Sequence, residues 1–255
     1  MLFRAAMFLA CLVPLLSPAA PLVAVASNLT HPVERLQAAF EHRTGNHLSI
    51  SYGSSGNFTR QILQGAAFDM FIAAGGDYVQ RLQAAGLVQN APVTLAMGRV
   101  CVFIPRTSSL ADVSGLGELS RMLAGGSYQR LALPNPDFAP YGVAARQALQ
   151  HMGIWALDRR RVLLGENAAQ AVQFTLSGDV DLGVIPVSYA QVSAIAHRGR
   201  CLDIPQDWHD VLAQQAVLLK RVTVETRDFL DYLAGADGRA VFAAAGYTLP
   251  ERQVP

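Results

Sequence analysis

From residue 22 the chain repeats one arrangement: a short apolar run, a turn of small and polar residues, then a stretch whose apolar positions recur at helical spacing. "LVAVAS" reads as a small apolar strand. In "THPVERLQAAFEHRTG", which follows, Val33, Leu36, Ala39 and Phe40 fall on one helical face, Pro32 suits the first turn and Gly45 can end it. "HLSISYG" alternates Leu48, Ile50 and Tyr52 as a strand, "NFTRQILQG" is helical, "DMFIAA" is a buried strand and "DYVQRLQAAG" a helix. This βαβαβα succession predicts a mostly parallel sheet with helices on its faces.

"RVCVFIP", Arg99 to Pro105, opens a second series of the same kind. Strands are predicted at "RLALPN", "RVLLGE" and "VDLGVIP", alternating with helices at "YGVAARQALQHMG", "AAQAVQFTLSG" and "VSYAQVSAIAHRG". After "CLDIP" and a polar loop with Trp208, a strand at "QAVLLKR" and two helical stretches, "TRDFLDYLAGA" and "GRAVFAAAG", follow. Two α/β lobes accommodate this series better than one sheet of about ten strands.

Composition narrows the partners. The 255 residues are 51% hydrophobic and 15% charged, enough to bury a substantial core and too apolar for disorder. A net charge of +1, with no basic stripe, offers nucleic acid or an anionic membrane surface nothing to hold, so neither is expected as a partner. "MLFRAAMFLACLVPLLSPAA" sets one arginine before an apolar stretch and ends in small residues, the pattern of a secretory signal peptide over residues 1–20, cleaved near Ala19 or Ala20. No later segment reaches the ~18 uninterrupted apolar residues of a membrane span. The mature protein is therefore expected to be exported and soluble. Cys11 falls inside the leader, and the apolar residues after it argue against a lipid-bearing N-terminus there. For Cys101 and Cys201 a disulfide and two buried thiols fit the sequence equally well. The histidines are scattered with no metal-ligand spacing, and no metal cofactor is expected.

In open parallel sheets, ligands sit beyond the carboxyl ends of the strands. Those junctions read "AVASNLTHP" around Ser27 and Asn28, "YGSSGN" around Ser54 and Ser55, "LPNPDFAPYG" around Tyr141, and "GENAAQ" around Asn167 and Ala168. They are rich in hydroxyls, amides and small residues and contain no Lys or Arg. Converging helix N-termini make an anion site without a side-chain cation, although Ser and Asn are also ordinary N-caps and "GSSG" an ordinary turn. Catalysis is the weaker reading. There is no G-x-S-x-G around Ser54 or Ser55, no histidine marked as their base, and no phosphate-binding loop.

The succession "AVASNLTHP", "ISYGSSGNFTRQILQGAAFDMFIAA", "LPNPDFAPYGVAARQAL" and "DLGVI" resembles the periplasmic molybdate-binding proteins, the substrate-binding components of molybdate ABC transporters, over roughly residues 21–249. The resemblance implies a type II periplasmic-binding-protein fold: two α/β lobes, each a mostly parallel sheet flanked by helices, with the ligand cleft between them. Lobe 1 is then expected over 21–100 and 220–255, and lobe 2 over 101–219, with closure about crossing strands near Val100 to Ile104 and Ala216 to Lys220. Carried over by position, Ser27, Asn28, Ser55 and Tyr141 match ligand-binding positions, and Ala168 a backbone N–H donor. A tyrosine that some members carry after the "LGIV" strand is Pro186 here, and Tyr141 is expected to serve instead.

The implied function is capture of molybdate and tungstate in the periplasm by a monomer that delivers to a membrane permease, with sulfate or thiosulfate as the alternative oxyanion. A donor-only pocket disfavours hydrogen phosphate, whose buried O–H would lack an acceptor at a cost of about 1–3 kcal/mol.

Overall fold

β1 (Leu22–Ala26) is apolar along its length because both of its faces are covered: Val23 and Val25 enter one core and Ala24 another. The computed structural model describes residues 20–156 and 158–251, so the expected leader, with Cys11, lies outside the described residues apart from Ala20. A 3-10 turn (Ser27–Leu29) leads into α1 (Thr30–Thr44). Gly45 ends the helix at φ 73°, a left-handed conformation suited to glycine, with its N–H on the Glu41 carbonyl at 2.9 Å. On the predicted face Val33, Leu36 and Phe40 are buried; Ala39 is exposed, and Pro32 takes the remaining inward position.

The first unit continues with β2 (Ser49–Gly53), α2 (Ser55–Leu63), β3 (Met70–Ala74), α3 (Gly76–Ala84) and β4 (Val93–Gly98). The second comprises β5 (Val100–Pro105), α4 (Leu116–Ala124), β6 (Leu131–Pro134), α5 (Pro140–His151), β7 (Val162–Gly165), α6 (Ala168–Leu176), β8 (Leu182–Pro186), two single-turn helices α7 (Val187–Ala190) and α8 (Ser193–Ala196), and β9 (Gly199–Asp203). The chain then returns as β10 (Leu212–Leu218), α9 (Val224–Ala234) and α10 (Ala236–Ala244).

Two five-stranded sheets result, ordered β2-β1-β3-β10-β4 and β7-β6-β8-β5-β9. β10 runs antiparallel to both β3 and β4, and β5 antiparallel to both β8 and β9, while the other named pairings, β1 with β2 and β3 and β6 with β7 and β8, are parallel. The two exceptions are the strands that enter from the other lobe. A chain leaving the carboxyl end of one sheet meets the second sheet at its cleft side, so it must run away from the cleft. That geometry corrects the expected boundaries. β10 belongs to the first sheet, not to lobe 2, and β5 lies wholly in the second sheet. The crossings are therefore Arg99 and residues 204–211 rather than Val100 to Ile104 and Ala216 to Lys220. The single helix predicted over "VSYAQVSAIAHRG" is broken after Ala190, where bonds from Ser188 and Tyr189 to the first lobe fix its opening turn.

Each sheet is packed on both faces. In the first, Met70 and Ile72 meet Phe40, Phe229 and Phe242, while Phe71 and Ala73 meet Phe58 and Leu82. In the second, Val102 and Ile104 lie with Leu131 and Leu133, and Cys101 and Phe103 with Val172. Cys101 on β5 and Cys201 on β9 form a disulfide, Cα atoms 5.6 Å apart, which settles the choice the sequence left open. The bridge spans 100 residues, so Cys101→Ala with Cys201→Ala is expected to lower the unfolding free energy by about 2–4 kcal/mol. A urea midpoint and slope equal to those of the parent protein would refute this.

Candidate anion-binding site

Four strand-to-helix junctions meet where the sheets face each other. β1 gives way to the 3-10 turn that begins with Ser27 and Asn28. Gly53 ends β2; Ser54 caps α2 by accepting from the Asn57 N–H at 3.2 Å, and Ser55 is the first helical residue. After β6, Pro140 occupies the first turn of α5 and Tyr141 follows. After β7, Asn167 caps α6 by accepting from the Gln170 N–H at 3.1 Å, leaving Ala168 at its start. The first N–H groups of these turns have no carbonyl of their own helix to bond.

All five residues expected from sequence, Ser27, Asn28, Ser55, Tyr141 and Ala168, line one cavity. They are deeply buried: Ser55 is 1% exposed, and Ala168, the most exposed of the five, 4%. The cavity is small, about 10 Å³, on the order of what one water molecule requires and far below the roughly 300–1,000 Å³ of pockets for organic ligands. The wall contains no Lys, Arg, His, Asp or Glu. Among the described residues, no group of three or more His, Cys, Asp and Glu is placed to hold a metal ion.

The polarity of the wall follows from its hydrogen bonds. Ser55 Oγ accepts from the Ala74 N–H at 3.0 Å and Ser27 Oγ from the Ala169 N–H at 3.3 Å, so each hydroxyl keeps its own proton to donate. Burial, and after it the neighbouring Tyr247 phenol, hold the Tyr141 hydroxyl well above its ordinary value; burial likewise raises Tyr247. Both phenols stay protonated donors. Raised in the folded state, they contribute full stability below the ordinary phenol value of about 10 and lose it as pH climbs from there toward their folded values. Urea melts between about pH 9 and about pH 11 are expected to show stability falling, by at most ~1.4 kcal/mol per pH unit for each phenol. A flat profile would contradict the burial.

The lobes are closed on each other. The Gly56 N–H donates to the Phe138 carbonyl at 3.0 Å, and Asn57 Nδ2 to Glu166 Oε1 at 2.6 Å. The junction that carries Pro186 in place of a tyrosine still supplies hydroxyls, but to backbone. Ser188 donates to the Asn28 carbonyl at 2.9 Å and Tyr189 to the Ser27 carbonyl at 2.8 Å.

Asn28 is tied from several sides. The two protons of its Nδ2 face three acceptors, Gln214 Oε1 at 2.8 Å, the Tyr247 hydroxyl at 3.0 Å and, sharing a proton, the Tyr141 hydroxyl at 3.3 Å, while Tyr247 donates to its carbonyl at 2.7 Å. Sequence reasoning missed Gln214, Tyr247, Ser188 and Tyr189. For Gln214 a signal existed: a glutamine interrupting the apolar strand "LAQQAVLL" must find partners if it is buried, and it is 0% exposed.

The fold defines a two-lobed binding protein, and the candidate cavity lies at its interlobe junctions. The chain belongs to the family of bacterial extracellular solute-binding proteins, whose model matches residues 21–248. It is 30% identical to the molybdate-binding protein ModA of Azotobacter vinelandii over 89% of each chain, and 29% identical to that of Rhodobacter capsulatus over 89% of this chain and 87% of the relative. The solved structure of the Azotobacter vinelandii periplasmic molybdate-binding protein superposes with a TM-score of 0.81 at 30% identity, covering 91% of this chain and all of the other. These findings bear out the resemblance and the fold class read from the sequence.

Proposed function

We propose that the protein captures molybdate, and tungstate with it, in the periplasm and hands it to the permease of an ABC transporter. The observation that carries this reading is the cavity itself: five donor-bearing residues from both lobes converge on one small space, with no charged side chain in its wall. A tetrahedral dianion needs several converging donors, and helix N-termini with hydroxyls supply them at low desolvation cost. Ser27, Ser55 and Tyr141 donate through their hydroxyls, Asn28 and Ala168 through backbone N–H groups; the Asn28 side chain is engaged elsewhere. The serines bind and do not attack, since no histidine lines the cavity to act as their base.

The open protein takes the anion on one lobe and closes by bending at Arg99 and residues 204–211. The closed form is selected because only there do both sets of donors reach the ligand. The permease reads that closed shape, and the binding protein works as a monomer exported by its leader. Calorimetric titration of the mature protein with molybdate, tungstate, sulfate and phosphate tests the assignment. Molybdate and tungstate are expected to bind one to one, sulfate more weakly and phosphate the most weakly of the four. Sulfate binding tighter than molybdate, or thiosulfate doing so when added to the series, would reassign the ligand, and no oxyanion binding at all would overturn the reading.

A further inference from the structure

We infer that Gln214, which does not line the cavity, is a positioning residue that sets the site's preference for fully deprotonated oxyanions by fixing which way the Asn28 amide faces. The inference rests on the oxyanion reading above. Gln214 Nε2 donates to the Leu212 carbonyl at 2.6 Å. A carbonyl only accepts, so this bond forbids the flipped amide and turns Gln214 Oε1 toward Asn28. Asn28 must then present Nδ2. Its amide consequently meets the Tyr141 hydroxyl as a donor, and the Tyr141 proton cannot be spent on Asn28. The result is a one-way relay from the Leu212 carbonyl at the start of β10 to the phenol on the cavity wall.

Gly98 lets the relay form. A Cβ there would lie 2.1 Å from Tyr141 Oη and 2.9 Å from Gln214 Nε2. Tyr247 does not fix the direction by itself, because a hydroxyl can rotate to donate where it formerly accepted. Gln214 cannot reverse while the Leu212 carbonyl holds it. Without Gln214 the Asn28 amide is released to turn over. Its Oδ1 then takes the Tyr141 proton, and the phenol faces the ligand with a lone pair. That arrangement costs every dianion a donor and gives hydrogen phosphate the acceptor its own O–H needs.

The test compares sulfate, which carries no proton, with phosphate near neutral pH, each competing against molybdate in calorimetry, on the parent protein, Gln214→Met and Tyr247→Phe. In Gln214→Met the discrimination against phosphate relative to sulfate is expected to fall about tenfold, the effect of one misdirected buried hydrogen bond. Tyr247→Phe, which leaves Gln214 to orient Asn28, is expected to weaken binding while keeping that ratio. An unchanged ratio in a folded Gln214→Met, or phosphate and sulfate strengthening together as in a merely loosened cavity, would overturn the inference while leaving the molybdate assignment intact. Failure of the parent protein to bind molybdate would remove both.

Should Gln214→Met not fold, nuclear Overhauser contacts in the parent protein decide. The Asn28 side-chain amide protons are expected near the Tyr141 and Tyr247 rings, and their absence there would show the relay to run the other way.

Discussion

Aspartate in place of Ser55 is expected to abolish molybdate binding, with a loss of affinity on the order of a thousandfold or more. The Ser55 hydroxyl lines the cavity, accepts from the Ala74 N–H and retains its own proton to donate. A carboxylate has no proton to give at neutral pH. It also brings a negative charge against a dianion, and two unit charges about 4 Å apart repel by roughly 4 kcal/mol at an effective dielectric of about 20. Ser55→Ala removes the donor without adding charge, and its expected loss is about ten- to a hundredfold. Calorimetry on both variants, with circular dichroism to establish folding, separates the two contributions. Parent-like affinity in Ser55→Asp would take Ser55 out of the site.

Gly56→Ala is expected to move stability and affinity in opposite directions. Gly56 lies in the first turn of α2, where alanine is the better helix former by about 0.5–1 kcal/mol. In the closed arrangement, however, its Cβ would stand 2.6 Å from the Phe138 carbonyl oxygen and 3.1 Å from the Phe138 Cα, and neither backbone atom can swing aside. The Gly56 N–H bond to the same carbonyl would be lost with the approach. The open protein should therefore melt slightly higher, while molybdate affinity drops about ten- to a hundredfold because the closed state is penalised. Small-angle scattering supplies the structural readout: the compaction that ligand induces in the parent protein should be absent. Undiminished affinity would mean that closure at Gly56 plays no part in binding.

The five cavity residues were legible because the sequence marks them locally. Strand and helix periodicities locate the junctions, and the rule that ligands gather at the carboxyl ends of parallel strands points to Ser27, Asn28, Ser54, Ser55, Tyr141, Asn167 and Ala168; the resemblance to the molybdate-binding proteins then narrows these to Ser27, Asn28, Ser55, Tyr141 and Ala168. The relay behind them was not. Asn28 meets Gln214 across 186 residues of sequence and Tyr247 across 219, and no local pattern encodes a pairing at that separation. β4, "VTLAMG", escaped the strand reading because Thr94 and Gly98 dilute its apolar run ahead of the stronger "RVCVFIP". β10 was recognised in part, as "QAVLLKR", but which sheet it joins is decided by partners on β3 and β4 far earlier in the chain. The same holds for Cys101 and Cys201, which neighbouring strands bring together across 100 residues.

The insertion of β10 between β3 and β4 has a temporal consequence. As the polypeptide is synthesised or threaded through a membrane with its amino end leading, β4 has no neighbour in its sheet until the segment beyond residue 211 has emerged. The half of the molecule made first is thus finished last, and a chain stalled short of that point would leave the edge of β3 bare.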